Sequence, residues 1–340
     1  MSKFFAYDGT VLCAAVILAS IISFLMTPVV RWAALFTGIL DIPRDKRRMH
    51  TRAVPLLGGV GIMIAFCVSS LIFAHDTTTF KLIASTVLLG IYGIADDKYA
   101  LTVTQKLIFQ FAAANMAYLL FGGVRTLLLF GGNYPLGIWS YPFTVLWVML
   151  MMNAVNLTDG MDGIAAGTGA ISAMSLAIIL FLRGQTQLSV CAASLCGAAI
   201  GFLFHNVSPA KIFMGETGSA FIGFMLAALS LTCLSSEESE PFLRIAFANI
   251  LPLTEALSSF LRRAACGKNP FAPDKSHMHH ILYSGGLSVP LVAAVLYAFS
   301  FACAFAAIIY TSHLGAAVSV FICAFAFVWY MLSITSVRRQ

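Results

Sequence analysis

The chain has 340 residues, of which 60% are hydrophobic and only 10% are charged, with a mean hydropathy of +0.91. A soluble protein of this size needs far more charge to cover its surface. Apolar runs of about 20 residues recur along the chain, which is the signature of helices that cross a bilayer core. Irregular backbone then has to lie at the membrane surfaces or inside the bundle.

The pattern predicts an all-α, polytopic membrane bundle of about eleven spans, forming one domain over residues 1–340. The spans are 10–37, 56–74, 80–95, 105–121, 141–156, 164–182, 188–204, 217–234, 242–262, 289–311 and 314–335. The run after Thr10 is too long for a signal-peptide core and reads as the first span. Seven of the eight cysteines fall inside spans and Cys266 alone lies in a loop, with no CxxC pair. Neither a disulfide framework nor a zinc site is expected. Fourteen of the twenty Lys and Arg residues fall on the side of the Arg44–Arg52 loop, five on the other side, and Arg31 within the first span. The positive-inside rule therefore places the N-terminus outside and the C-terminus in the cytoplasm of a cell-membrane protein. Between Gly122 and Ser140, glycines flank an apolar run, which suggests either a small outer hairpin or a membrane-hugging loop. Glu237, Glu238 and Glu240 read as a solvated outer turn.

The cytoplasmic loops hold nearly all the residues capable of chemistry. A transporter keeps ionisable groups near the bilayer midplane, whereas here they gather at one surface, as an enzyme with a water-soluble, charged donor requires. Asp96 and Asp97 end the third span; two adjacent carboxylates attract a divalent cation or share a proton, and at a helix C-terminus they oppose the dipole. In NAVNLTDGMDGIAAG (153–167), Asn156, Asp159 and Asp162 crowd between two apolar spans. The glycines there allow tight turns and close approach, and the loop leads into a helix N-terminus that favours anions. In HNVSPAKIFMGETGSAFIG (205–223), Lys211 suits a phosphate, Phe213 suits either a base or the membrane interface, and Glu216 suits either a metal ion or a helix cap. His277, His279 and His280 follow Asp274 and Lys275; their spacing fits a pyrophosphate better than zinc. The basic run 44–52, with His50 and Arg52, either enforces topology or binds a lipid phosphate. Carboxylates, phosphate-binding cations and membrane access together are the equipment of phosphoryl transfer.

In order, the segments ADDK, NLTDGMDG, PAKIFMGETGS and APDKSHMHH resemble the polyprenyl-phosphate N-acetylhexosamine-1-phosphate transferase superfamily, glycosyltransferase family 4, over nearly the whole chain. The resemblance implies transfer of a sugar phosphate from a UDP-N-acetylhexosamine to undecaprenyl phosphate, with release of UMP. Mg²⁺ is the implied cofactor, with Mn²⁺ as an alternative. Membrane lipid is an implied partner, a homodimer is common in the superfamily, and no nucleic acid is expected. PFAPDKSHMHH and an inside C-terminus are similar to the GlcNAc branch, which serves teichoic acid, O-antigen and related polymers. NAVNLTDG is close to the peptidoglycan branch, whose donor is UDP-MurNAc-pentapeptide. By the same resemblance, Asp96 and Asp97 hold the lipid phosphate, one helping to deprotonate it, and Asn156, Asp159 and Asp162 lie along the nucleotide. Asn206 and Phe213 contact the uridine, and His277, His279 and His280 bind the pyrophosphate or sugar. Glu255 is implied as a brace behind the site. The family's motif reads MGD, and its acid is the metal ligand; this chain reads MGE, so Glu216, one methylene longer, is expected to bind the metal together with Asp159.

Overall fold

A computed structural model describes residues 2–42, 52–235, 240–265, 267, 277–310, 315 and 318–321. The described chain is almost wholly helical. It runs α1 (Ser2–Thr37), two short strands β1 (Leu40–Asp41) and β2 (Val54–Pro55), then α2 (Gly58–Phe73), α3 (Thr77–Tyr99) and α4 (Val103–Phe121). A hairpin of β3 (Thr126–Leu129) and β4 (Gly132–Pro135) leads through a 3₁₀ turn into α5 (Ser140–Thr158). Next come α6 (Ile164–Leu182), α7 (Thr186–Asn206), α8 (Gly215–Leu234), α9 (Phe242–Ala248), α10 (Ile250–Ala265), α11 (Met278–Ser284) and α12 (Val289–Ile309).

Seven of these helices are long and apolar enough to cross a membrane. They correspond to the expected first, third, fifth, sixth, seventh, eighth and tenth spans. The second, α2, is apolar but has only 16 residues. The fourth forms as α4, whose lysine, asparagine and two glutamines set it apart from the seven. The ninth is not one helix: it breaks at Asn249, whose amide donates to Ser230 Oγ at 3.2 Å and to the Ile245 carbonyl at 3.0 Å. The eleventh lies almost entirely outside the described residues.

The hairpin alternative holds at 122–140. Leu129 pairs with Gly132 across Phe130 and Gly131, both at positive φ, which gives a two-residue turn whose twist suits an antiparallel pair. The outer acidic turn differs from expectation at Glu240. This residue is 9% exposed and pairs with Arg244 at 2.8 Å and Arg183 at 3.4 Å, so it is a buried ionic clamp. Burial leaves such a charge tolerable only when it is paired.

The layering follows from side-chain size. α8 is buried almost throughout, and α6 and α7 nearly so, while α1 turns Ile17, Leu25, Trp32 and Phe36 outward. In lipid there is no hydrophobic drive between helices, so close approach depends on small residues. A Cβ on Gly197 or Gly201 of α7 would stand 2.2 Å from the Val16 or Ser20 carbonyl oxygen of α1, so only glycine allows this approach. Gly59 of α2 faces Gly218 of α8, and Gly93 of α3 faces Thr217 of α8. α2 and α3 are thereby drawn onto the first turn of α8.

A Cβ at Gly93 would stand 2.2 Å from Thr217 Cα, whereas one at Gly90 would meet only Met63 Sδ at 3.6 Å. Gly93→Ala is expected to cost about 3 kcal/mol through forced overpacking. Gly90→Ala, on the same helix, should change stability by no more than about 0.5 kcal/mol. Thermal unfolding of the two purified proteins in detergent checks this, and equal melting temperatures would contradict the close α3–α8 contact.

Candidate active site

The last turn of α3 meets the first turn of α8, and this junction places the acids. Asp97 reaches across to the start of α8: Oδ1 accepts the Glu216 N–H at 2.7 Å, and Oδ2 accepts the Thr217 N–H at 3.2 Å and the Thr217 hydroxyl. Asp97 therefore caps α8 from another helix. The α8 N-terminus, with its orphan N–H groups and positive dipole end, stabilises the carboxylate. The opposing dipole that made an acid unfavourable at the end of α3 is offset by the favourable one of α8. Gly215, at φ +70°, leaves the room: a Cβ there would lie 2.5 Å from Asp97 Oδ2.

Asp96, one residue back, points into a different network. Its Oδ1 accepts the Leu101 N–H at 2.9 Å, and its Oδ2 meets Lys106 Nζ at 2.6 Å. Lys106 also reaches Glu216 Oε2 at 3.2 Å. Asn156 Nδ2 donates to the same Oε2 at 2.7 Å, and the Tyr92 hydroxyl donates to Oε1 at 3.2 Å. Behind this layer, Gln110 of α4 and Asn153 of α5 exchange amide hydrogen bonds at 3.3 and 2.6 Å, holding the two helices in register.

The loop 159–163 is pinned from two sides. Asp162 Oδ2 accepts the Ala210 N–H at 3.0 Å, and Asn206 Oδ1 accepts the Gly163 N–H at 3.0 Å. The other end of the Asn206 amide donates to the Ile212 carbonyl at 3.0 Å, and Tyr297 donates to the Gly163 carbonyl at 2.7 Å. Asn206 is 3% exposed with both ends of its amide engaged, so it ties the loop after α5 to the loop after α7. Asp159 takes no hydrogen bond from the described residues. Burial, and then the charges of Asp97, Glu216 and Asp162, push its carboxyl well above the usual carboxylate range.

These loops enclose a cavity of about 1080 Å³. Asp96, Asp97, Asn156, Asp159, Asp162, Asn206, Phe213, Glu216 and His280 all line it, so four stretches far apart in sequence converge at one end of the bundle. Phe213 is held by its backbone, its N–H on the Pro55 carbonyl at 2.9 Å and its carbonyl taking the Gly58 N–H at 3.0 Å. Lys211 and Arg52 are exposed and do not line the cavity, and His50 lies outside the described residues.

The histidines divide. His280 faces the cavity, while His277 and His279 are buried against Glu255, which is itself 0% exposed. Glu255 Oε2 accepts the Met278 N–H at 3.2 Å and stands 3.6 Å from His277 Nδ1, while Oε1 stands 3.5 Å from His279 Nδ1. The His279 ring stacks on His277 (centroids 5.6 Å apart) and leans on His280 at 4.4 Å. A Cβ at Gly160 would meet His279 Nε2 at 2.3 Å, so what approaches this glycine so closely is the imidazole. Glu255 thus stands behind the site and holds the histidine turn against the 159–163 loop.

Two residues that complete the site, Lys106 and Tyr92, escape a reading of the sequence by motif. Lys106 lies a few residues into a helix, beyond the Asp-Asp pair, and Tyr92 lies within an apolar stretch. Only the spacing of Tyr92, one turn before Asp96 on the same helix face, carried a signal.

The donor set suits a divalent cation. Six acids, among them Asp41, line the cavity against two lysines, Lys98 and Lys106. Burial first, and then the neighbouring acids, raise the Asp159 carboxyl. Hard oxygen ligands fit Mg²⁺ or Mn²⁺. Among the described residues no three acids, histidines or cysteines already converge as a ligand set.

Residues 79–234 match the family profile described as Glycosyl transferase family 4. The chain is 33% identical over 311 residues to the "Probable undecaprenyl-phosphate N-acetylglucosaminyl 1-phosphate transferase" of Bacillus subtilis, covering 87% of this chain and 85% of that one. It is 33% identical over 322 residues to the decaprenyl-phosphate N-acetylglucosaminephosphotransferase of Mycobacterium tuberculosis, covering 82% and 77%. A phospho-N-acetylmuramoyl-pentapeptide-transferase of Streptococcus pyogenes is 36% identical over 205 residues, but covers only 55% of this chain and 61% of its own. With such similarity along most of its length, and described residues of all four motifs lining one cavity, the chain belongs to glycosyl transferase family 4.

Proposed function

We propose that the protein transfers N-acetylglucosamine-1-phosphate from UDP-GlcNAc to undecaprenyl phosphate at the cytoplasmic face of the cell membrane, releasing UMP. The observation that carries this reading is the convergence of Asp96, Asp159, Glu216 and His280 on one large anionic cavity at an end of a membrane bundle. The long relatives in its support are named for N-acetylglucosamine phosphate transfer to a polyprenyl phosphate, and the muramoyl relative aligns over a shorter stretch. The excess of Lys and Arg on the cavity's side favours the cytoplasm for this end, with the N-terminus outside and about eleven spans in all.

In the reaction, an oxygen of the lipid phosphate attacks the sugar-linked phosphorus, and the bond to UMP breaks. Lys106, partly exposed at the cavity wall, supplies a cation to the phosphates, and Asp96 holds it there. Phe213, fixed by its backbone bonds, offers a face for the uracil, and His280 meets the pyrophosphate or sugar. Asp97 is engaged by α8 and keeps the junction together. Asp159, free of hydrogen bonds from the described residues, is the acid left for the phosphate chemistry. Asp159 and Glu216 are the residues that would hold Mg²⁺ or Mn²⁺, which would neutralise pyrophosphate charge when bound.

The direct test supplies detergent-solubilised protein with radiolabelled UDP-GlcNAc, undecaprenyl phosphate and Mg²⁺. Labelled lipid and stoichiometric UMP are expected, with far less product from UDP-MurNAc-pentapeptide. Preference for the muramoyl donor would move the chain to the peptidoglycan reaction, and no product from any UDP-sugar would remove the enzymatic reading.

The two aspartates should separate when mutated. Asp97→Ala deletes a helix cap and is expected to lower stability by about 1–2 kcal/mol, seen as a lower melting temperature. Asp159→Asn removes a carboxylate that its neighbours repel. It is expected to leave the melting temperature unchanged or raised while kcat falls by roughly a hundredfold or more. Near-normal turnover of Asp159→Asn would take this acid out of the reaction.

A further inference from the structure

Glu216 is held by side chains from three helices, and one of them does not face the cavity. Lys106 of α4 and Asn156 of α5 both line the cavity, and both donate to Oε2. Tyr92 of α3 donates to the other oxygen, Oε1, at 3.2 Å. Tyr92 is 3% exposed and does not line the cavity. Its ring lies flat on Phe109, with centroids 3.9 Å apart and planes 4° from parallel. That stack fixes the plane of the ring and so the direction of its hydroxyl.

The carboxylate plane of a glutamate turns freely about its last torsion, a broad and weakly restrained rotation. Two donors on Oε2 alone leave that plane free to swing about the Oε2 contacts. A third donor on Oε1, fixed to a stacked ring on the far side, removes the freedom. Glutamate also stands one methylene further from its backbone than aspartate, which is the reach needed to span from the first turn of α8 to Tyr92 while Oε2 stays on Lys106.

We propose that Tyr92 is a positioning residue that locks the plane of the Glu216 carboxylate, so that Oε2 stays aimed at Lys106 and Asn156, and that this contact is what suits the site to a glutamate at this position. The proposal rests on the phosphosugar-transfer reading above. It assigns to Tyr92 no contact with either substrate. Its action passes through Glu216 to Lys106, the cation on the cavity wall.

The test is a double-mutant cycle on the full-length protein, with wild type, Tyr92→Phe, Glu216→Asp and the double variant. Tyr92→Phe keeps the ring on Phe109 and deletes only the hydroxyl. In the wild-type background it is expected to lower kcat about tenfold, the loss of one hydrogen bond to a charged group. The donor KM should stay within roughly twofold. In the Glu216→Asp background the same change should alter kcat by less than about twofold, because the shorter acid no longer reaches the hydroxyl. Thermal unfolding of the four proteins in metal-free buffer gives a second reading: the two substitutions should be coupled there as well, since the contact exists before any ligand binds. A wild-type rate for Tyr92→Phe, the same fall in both backgrounds, or additive melting shifts would each overturn the proposal. An inactive wild-type protein would instead overturn the transferase reading, and this inference with it.

Discussion

The contact between the last turn of α3 and the first turn of α8 is the constraint on which the site depends. It is made by absent side chains as much as by present ones. Gly93 lets α3 touch the Thr217 backbone, Gly59 lets α2 touch Gly218, and Gly215 opens the space that the Asp97 carboxylate fills. Once that carboxylate caps α8, the positions of its neighbours follow. Asp96 is turned to the cavity, and Glu216 stands opposite it with Lys106 between them. An interaction at the level of helix packing thus decides where the chemistry-bearing atoms stand.

The cavity is electrostatically unbalanced. Six acids against two lysines in a half-buried space would be a poor structural device, because burying unpaired charge is costly. The cost is met in part by specific donors: backbone N–H groups on Asp97 and Asp162, an ammonium on Asp96, and an amide, an ammonium and a phenol on Glu216. Asp159 takes no such donor from the described residues, and burial, with the charges of Asp97, Glu216 and Asp162, raises its carboxyl. What remains uncompensated is an attraction for cations.

A second buried device sits behind the histidines. Glu255 on the inner side of α10 fixes the start of α11, and α11 presents His280 to the cavity while wedging His279 against Gly160. Three histidines in four positions therefore do two kinds of work. Two are structural partners of a buried carboxylate, and one is a cavity residue. Helical geometry imposes the division, since neighbours along a helix cannot all face the same way.

The sequence by itself determined the class of the protein, its membrane character, its family and the four segments whose residues meet at one cavity, because hydropathy, Gly-Asp turns and ordered motifs are local properties of the chain. It also pointed to the 126–135 hairpin, whose glycines mark the turn. The tertiary structure alone decided that Asp97 is a cap, that Asn206 is a tie between loops, that Lys211 stays outside the cavity, and that Lys106 and Tyr92 belong to the site. It likewise decided that the ninth span breaks at Asn249 and that Glu240 is an ionic clamp within the protein. The physical reason is the same in each case. Which way a polar side chain faces, and what it meets there, is set by how separate helices and loops pack against one another, for Asp97, Lys106 and Tyr92 from more than a hundred residues away, and a motif read along the chain does not contain that information.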